Sequence, residues 1–251
     1  RPHEVSDRLG TVVVVGKRLH AGISISKDRG LRRLAAGNLA NRLDHATARL
    51  GYTIERAGGL AMLVPALHVE WGREDATFNA PAGQGSVWAR TAAVLAGLGT
   101  WGLNDMVLTP EFGPRVYFST LLTDLELPPG APLDEELCPG LEACGKCAQI
   151  CPAKAIPSQA PPGATLHQVR GLDGAACARC SQPYGPDAFV GFLKRMLETD
   201  GEARRALIEG PEAHEHWQSM AIGKFGAYTG CIDCLTVCPV GADRARLDGP
   251  A

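Results

Sequence analysis

The run CGKCAQICP at residues 144–152 returns in its essentials as CIDCLTVCP at residues 231–239. Each sets three cysteines at a C-x2-C-x3-C spacing and ends on Cys-Pro, and all nine cysteines (138, 144, 147, 151, 177, 180, 231, 234 and 238) follow residue 137. Such segregation needs a local cause. A disulfide framework suits a small secreted domain, whereas a short turn that aims successive thiolates at one place is the pattern of metal ligation. C-x-x-C pairs also build structural zinc sites, but C-x3-C-P in two copies is the ferredoxin spacing and not a zinc-ribbon one. The sequence therefore predicts two 4Fe-4S clusters with four thiolates each, which uses eight of the nine cysteines. In two-cluster ferredoxins the last cysteine of a run crosses to the other cluster. By that rule one cluster takes Cys138, Cys144, Cys147 and Cys238. The other takes Cys151, Cys231, Cys234 and either Cys177 or Cys180 of the CARC segment.

More than half of the 251 residues precede these runs, too many for a bare electron shuttle. TVVVVGKRL at 11–19 is a continuous β-branched run and reads as a buried strand, as do LAMLVPAL and RVYFSTLLTD further on. From Arg29, apolar residues recur at three- and four-residue steps (Leu31, Leu34, Leu39, Leu43, Leu50), which predicts an amphipathic helix closed by Gly51. A further helix is expected from a Ser86 cap to about Ala96. Strands alternating with helices indicate an α/β layer arrangement. The proline-rich LELPPGAPLDEE marks a boundary, with an α/β cofactor and substrate domain at 1–130 and a cysteine-bearing domain at 131–251. The longest apolar stretches fall short of the roughly 20 residues that span a bilayer, so no membrane insertion is expected and a cytoplasmic location is the default. A net charge of -2 without a basic patch argues against nucleic acid as a partner.

Gly97, Gly99 and Gly102 in AGLGTWG satisfy G-x-G-x-x-G. A dinucleotide fingerprint needs a strand before it and a helix after it, whereas here a predicted helix comes before it and the following stretch soon meets Pro110 and offers no long helix. The glycines are read instead as letting backbone approach a large flat cofactor. Trp88 and Trp101 flank the loop and could stack on such a ring, and His68 follows an apolar strand at a position where α/β sites open. Tyr117 is a candidate proton donor if a neighbouring cation lowers its pKa, and Arg115, two residues away on the same strand face, is the candidate cation; a packing tyrosine is the alternative.

AAVLAGLGTWGLNDMVLTPEFGPRVYFSTLLTDLELPP, followed by C-x2-C-x3-C-P, LDGAAC and GCIDCLTVCP, resembles the epoxyqueuosine reductase and reductive dehalogenase superfamily. The resemblance implies a nitroreductase-like α/β fold of the corrinoid-binding type followed by a two-cluster bacterial ferredoxin-like module. Electrons would pass from the clusters to a cobalamin seated over Gly97 to Gly102, and the reaction would cleave a C–O or C–halogen bond in a small organic substrate. An external ferredoxin, flavodoxin or reductase would supply the electrons. Alignment on the LD before the solitary cysteine favours Cys177 over Cys180. Nitroreductase-like domains also hold FMN, so a flavin-dependent or cofactor-free reductase is an alternative, as is an electron-transfer or corrinoid-activating partner. The stretch AGQGSVWAR lacks the acid that epoxyqueuosine reductases place before the glycine loop, and the chain is shorter than respiratory dehalogenases. The better fit is to short ferredoxin-type relatives.

Overall fold

In the computed structural model, residues 5–66, 87–181, 186–221 and 231–248 are described. The strand β1 (Thr11–Arg18) is followed by the long helix Arg29–Arg56, then β2 (Ala61–Val64). The helix Val87–Leu95 leads into a small hairpin of β3 (Thr100–Trp101) and β4 (Val107–Leu108), and β5 (Val116–Thr123) closes this part. β5 lies between β1 and β2 and pairs antiparallel with both, Val15 opposite Ser119 and Leu63 opposite Leu121. Alternating strands and helices more often signal parallel pairing. Here β5 lies between β1 and β2 and runs antiparallel to both, so β1 and β2 point the same way without touching.

Side-chain alternation along β5 explains the layers, since successive residues of a strand point to opposite faces. Phe118 and Val116, with Val14 of β1, pack on Ala89 and Ala93 of the helix Val87–Leu95. Tyr117 and Val15 face the other way, onto Ala40 and Leu43 of the long helix. On that face Thr47 and Ser119 share a buried hydrogen bond. The result is a mixed helix and sheet arrangement, a sheet covered on both faces by helices. The long helix does not end at Gly51 as its periodicity suggested. It runs on to Arg56, and Gly58, at φ +93°, follows its end. Gly51 serves packing instead: a Cβ there would lie 3.1 Å from the Leu121 side chain, so its absence lets the helix rest close on β5.

After residue 130 the chain turns to short helices, among them Lys146–Ile150, Gly174–Ser181 and Asp233–Thr236, and two longer ones, Pro186–Glu198 and Pro211–Ala221. Among the described residues no helix is long and apolar enough to cross a membrane. This segment packs directly on the sheet part. Ile232 and Leu235 share an apolar cluster with Leu19 and Leu39, and Leu103 shares another with Ala148 and Ile156. Ion pairs cross between the same regions, Arg32 to Asp233 at 2.7 Å and Arg170 to Asp105 at 2.7 Å.

Candidate metal centre

The two cysteine runs fold alike. In each, the first C-x-x-C opens a short helix, Lys146–Ile150 or Asp233–Thr236, and the third cysteine follows that helix before a proline. A helix of one turn holds the second cysteine on its own first turn and leaves the first and third on the flanking loops, free to aim elsewhere. The two helices pack against each other. None of the nine cysteines is in a disulfide.

Cys138, Cys144, Cys147 and Cys238 line one cavity, together with Gly102, Leu103 and Asn104 of the β3–β4 hairpin tip. Three of these sulfurs come from the first run and its leading cysteine, and the fourth from the end of the second run. Burial pushes the Cys147 thiol up to about 11, and the neighbouring Cys138, Cys238 and Cys144 add to the shift. Cys238 is likewise raised to about 11, by burial first, although a backbone hydrogen bond and the charge of Arg115 pull the other way. The second set gathers around Cys234, whose thiol burial drives far above its ordinary value, with Cys231, Cys177 and Cys147 adding to the rise. Cys231 is raised to about 11, chiefly by burial, and Cys180 is among its neighbours. Cys177 and Cys180 stand three apart on the helix Gly174–Ser181 and so lie on one face of it. Both approach the second run, one toward Cys234 and the other toward Cys231. Cys151 packs in the cluster of Leu103, Ala148 and Ile156, beside Cys147 and Cys234, and its sulfur accepts a hydrogen bond from the Ala155 amide at 3.3 Å.

This donor set has a definite chemistry. Burial and mutual repulsion favour the protonated thiol at Cys147, Cys231, Cys234 and Cys238, so a cation is what would draw these four out as thiolates. Among the described residues no three Cys, His, Asp or Glu side chains come close enough to grip a single metal ion. The sulfurs of the first set are spread around a space rather than converged on a point, and a four-iron cube, which takes one thiolate at each corner, suits such a spread better than one zinc ion does.

Arg115 lies elsewhere than sequence reasoning put it. It is 1% exposed, and its guanidinium donates to Asp243 at 2.6 and 3.3 Å and to the carbonyls of Leu235, Cys238 and Val240 at 3.2, 3.2 and 2.8 Å. Its charge is therefore committed to the loop that carries Cys238. Tyr117 gains no lowering from it: burial raises the phenol to about 12, and the neighbouring Cys234 adds to the rise. The expectation that Arg115 would acidify Tyr117 is corrected on that ground.

The glycine loop also has a local reason. As expected of a loop that is not a dinucleotide fingerprint, a helix precedes it and a strand follows. A Cβ at Gly97, where φ is +77°, would lie 2.2 Å from the carbonyl oxygen of Ala131, and one at Gly99 would lie 2.1 Å from that of Leu108. At Gly102 it would lie 2.8 Å from the Asn104 side-chain oxygen. The Trp101 ring is covered by the Arg170 guanidinium, 4.3 Å from its centroid. These four residues meet the chain itself, so the space their small size or flat face provides is filled from within and does not fit a bare cradle for a macrocycle. His68 lies outside the described residues, as does the side chain of Trp88.

The sequence reading passed over Leu103 and Asn104. Asn104 is 3% exposed, its side-chain oxygen accepts from the Met106 amide at 3.3 Å, and it lines the cavity of the first sulfur set. The one signal for them was turn chemistry, the Asn-Asp pair between two short apolar stretches.

No protein-family model matches the chain. It is 29% identical over 163 residues to a tetrachloroethene reductive dehalogenase of Dehalobacter restrictus, a match that covers 64% of this chain and 23% of that protein. It is 38% identical over 72 residues to an epoxyqueuosine reductase of Bacillus cereus, covering 29% of this chain and 18% of that protein. The chain thus spans less than a quarter of the length of these curated relatives. Among solved structures, an epoxyqueuosine reductase with a tRNA stem loop superposes with a TM-score of 0.46 at 19% identity, over 95% of this chain and 50% of that one. One expectation falls here. Low net charge was read as arguing against nucleic acid, and a small-molecule substrate was expected from the resemblance, yet epoxyqueuosine reductases, which this chain resembles in sequence, include one holding a tRNA stem loop. Net charge averages over a whole surface and does not report the local field that a polyanion meets. By sequence, then, the chain is a relative of the epoxyqueuosine reductases and the reductive dehalogenases, as its glycine loop and cysteine runs led us to expect.

Proposed function

We propose that the chain is an iron–sulfur oxidoreductase of the corrinoid-linked kind, with two 4Fe-4S clusters that serve the reductive cleavage of a C–O or C–halogen bond. The observation that carries this reading is the cavity ringed by Cys138, Cys144, Cys147 and Cys238, sulfurs from both cysteine runs facing one space. On this reading the second cluster takes Cys151, Cys231, Cys234 and Cys177, and residues 131–251 form a two-cluster ferredoxin-like domain on a nitroreductase-like domain of residues 1–130. The clusters supply single electrons when bound. The protein's own part is to fix the sulfurs and keep water away: Arg115 and Asp243 hold the loop of Cys238, and Leu103 packs among Cys138, Cys147, Cys151 and Cys234. The corrinoid is supported by sequence similarity alone, and no step is assigned to it. A second reading, an electron-transfer or corrinoid-activating protein, is favoured by the filled space at Gly97 and Gly99.

The test is anaerobic reconstitution with iron and sulfide, followed by iron counting and titration with cobalamin under a chemical reductant. About eight irons per chain are expected from four per cluster, with a cobalamin-dependent change in the visible spectrum. Iron without cobalamin binding would select the second reading, and a chain that takes up one zinc in place of iron would end both.

A further inference from the structure

Arg115, one residue before β5, reaches out of the sheet part to the second cysteine run, and every N–H of its guanidinium has an acceptor there. Nε and Nη2 donate to the two oxygens of Asp243 at 3.3 and 2.6 Å, so the carboxylate lies along one edge of the group. Nη1, at the opposite edge, donates to the carbonyls of Cys238 and Leu235, both at 3.2 Å. The ion pair is therefore oriented, its positive side to the cysteine run and its negative side turned away. The loops around it interlock: the Ala242 and Asp243 amides donate to the carbonyls of Pro110 and Glu111 at 3.0 and 2.9 Å. A Cβ at Gly113, where φ is +53°, would lie 2.0 Å from the Val240 carbonyl oxygen, so backbone rests on backbone. Arg244 also reaches the Cys238 carbonyl, at 3.5 Å, but it is partly exposed and pairs with the exposed Asp248.

Cys238 completes the first sulfur set, on the same cavity as Cys138, Cys144 and Cys147. A one-electron reduction makes a cluster with its thiolates more negative by one charge, so a cation fixed nearby favours the reduced form. In the interior such a charge acts more strongly than in water, because little solvent lies between to screen it. Asp243 opposes Arg115, but from the edge turned away from Cys238. We propose that Arg115 is a positioning residue for electron transfer: its charge, held toward Cys238 by Asp243, raises the reduction potential of the first cluster relative to the second. One electron leaving the reduced second cluster is then held by the oxidised first. The inference rests on the two-cluster reading of the site.

The experiment is a redox titration followed by electron paramagnetic resonance on the reconstituted full chain, with Cys147→Ser identifying the first cluster as the one it lacks. Wild type is compared with Arg115→Met, Asp243→Asn and a double variant that joins Arg115→Met to Asp243→Leu. Loss of the cation lowers the first cluster's midpoint, loss of the carboxylate alone raises it, and the double variant, with neither charge, falls between Arg115→Met and wild type. The expected shift is about tenfold in the ratio of reduced to oxidised cluster, which is about 59 mV for one electron. The second cluster moves less. A pair that only braces the loop would move Arg115→Met and Asp243→Asn in the same direction. That outcome, unmoved midpoints, or a larger shift at the second cluster overturns the inference. Removing half of a buried pair endangers the fold, whereas replacing both members by apolar groups is often tolerated. Any variant that keeps the first cluster therefore decides by the sign of its own shift, and loss of that cluster in all three overturns the inference by leaving the pair a brace. A wild type that holds no cluster refutes the reading of the site itself, and this inference with it, whereas two clusters with unmoved midpoints refute only the role of Arg115.

Discussion

Arg115 and Asp243 are both buried, 1% and 8% exposed, and the pair joins the start of β5 to the loop after Cys238. Removing one member of such a pair leaves the other charged and without its partner, which typically costs about 3–5 kcal/mol. Arg115→Met is expected to lower stability by about that amount, read as a fall in the denaturant midpoint, and to weaken iron retention at the Cys238 cluster first. The cysteines differ in what they predict. Cys147→Ser is expected to lose about half the iron, since one of two clusters loses a corner, and the loss should appear in iron per chain and in one set of resonance signals. Cys177→Ser and Cys180→Ser separate the two candidates for the distal ligand: one should lose iron and the other keep it. Asp44 gives a pH signature. Burial raises its pKa above 3.8, partly offset by the hydrogen bond it accepts from the Ala66 amide. The folded state then holds a proton that the unfolded state releases, so Asp44 lowers stability as pH rises from 3.8 through its raised folded value. Asp44→Asn should flatten that part of the stability-against-pH curve. A slope unchanged in the variant would show that Asp44 is not its source.

At the scale of elements, the glycines of the loop 97–102 act on the fold before they act on any cofactor. Gly99→Val places a branched side chain against the Leu108 carbonyl, which a Cβ alone would approach to 2.1 Å. Because the contact is with backbone across the β3–β4 hairpin, relief needs the hairpin to open, and overpacking of this kind typically costs about 1–3 kcal/mol or more. The melting temperature should therefore drop in the cofactor-free protein as well as in the loaded one. A variant that is stable when empty yet fails to bind cobalamin would instead assign Gly99 to the cofactor. The hairpin carries the tip that reaches the sulfurs, so the same substitution should also broaden the signals of both clusters.

For the whole molecule, the described residues of the cysteine-bearing half include few buried apolar side chains. Leu103, which belongs to the sheet part, supplies one of the three fully buried apolar residues in the cluster with Ala148 and Ile156. Metal binding and folding are coupled when loops depend on a centre for their shape. Removing iron by oxidation and chelation should raise amide hydrogen exchange across residues 137–181 and 231–248, while β1 and β5 keep their protection through the layers on either side. Uniform protection after iron loss would mean that the loops hold themselves, and that the cavity is preformed without a cluster.

The cysteine spacing by itself determined that the sulfurs within each run would lie close together, because C-x2-C-x3-C-P is local geometry that a turn and a one-turn helix enforce. Strands β1, β2 and β5 and the long helix were legible for the same reason: their periodicity is written in consecutive residues. Tertiary structure alone decided that Arg115 faces Asp243, 128 positions away, instead of Tyr117. It also decided that Gly51 sits inside a helix, and that Gly97 and Gly99 make room for Ala131 and Leu108. A glycine or an arginine has the same local propensity whichever neighbour it meets. Only the path of the chain settles whether the space beside it holds solvent, a ligand or the protein's own backbone.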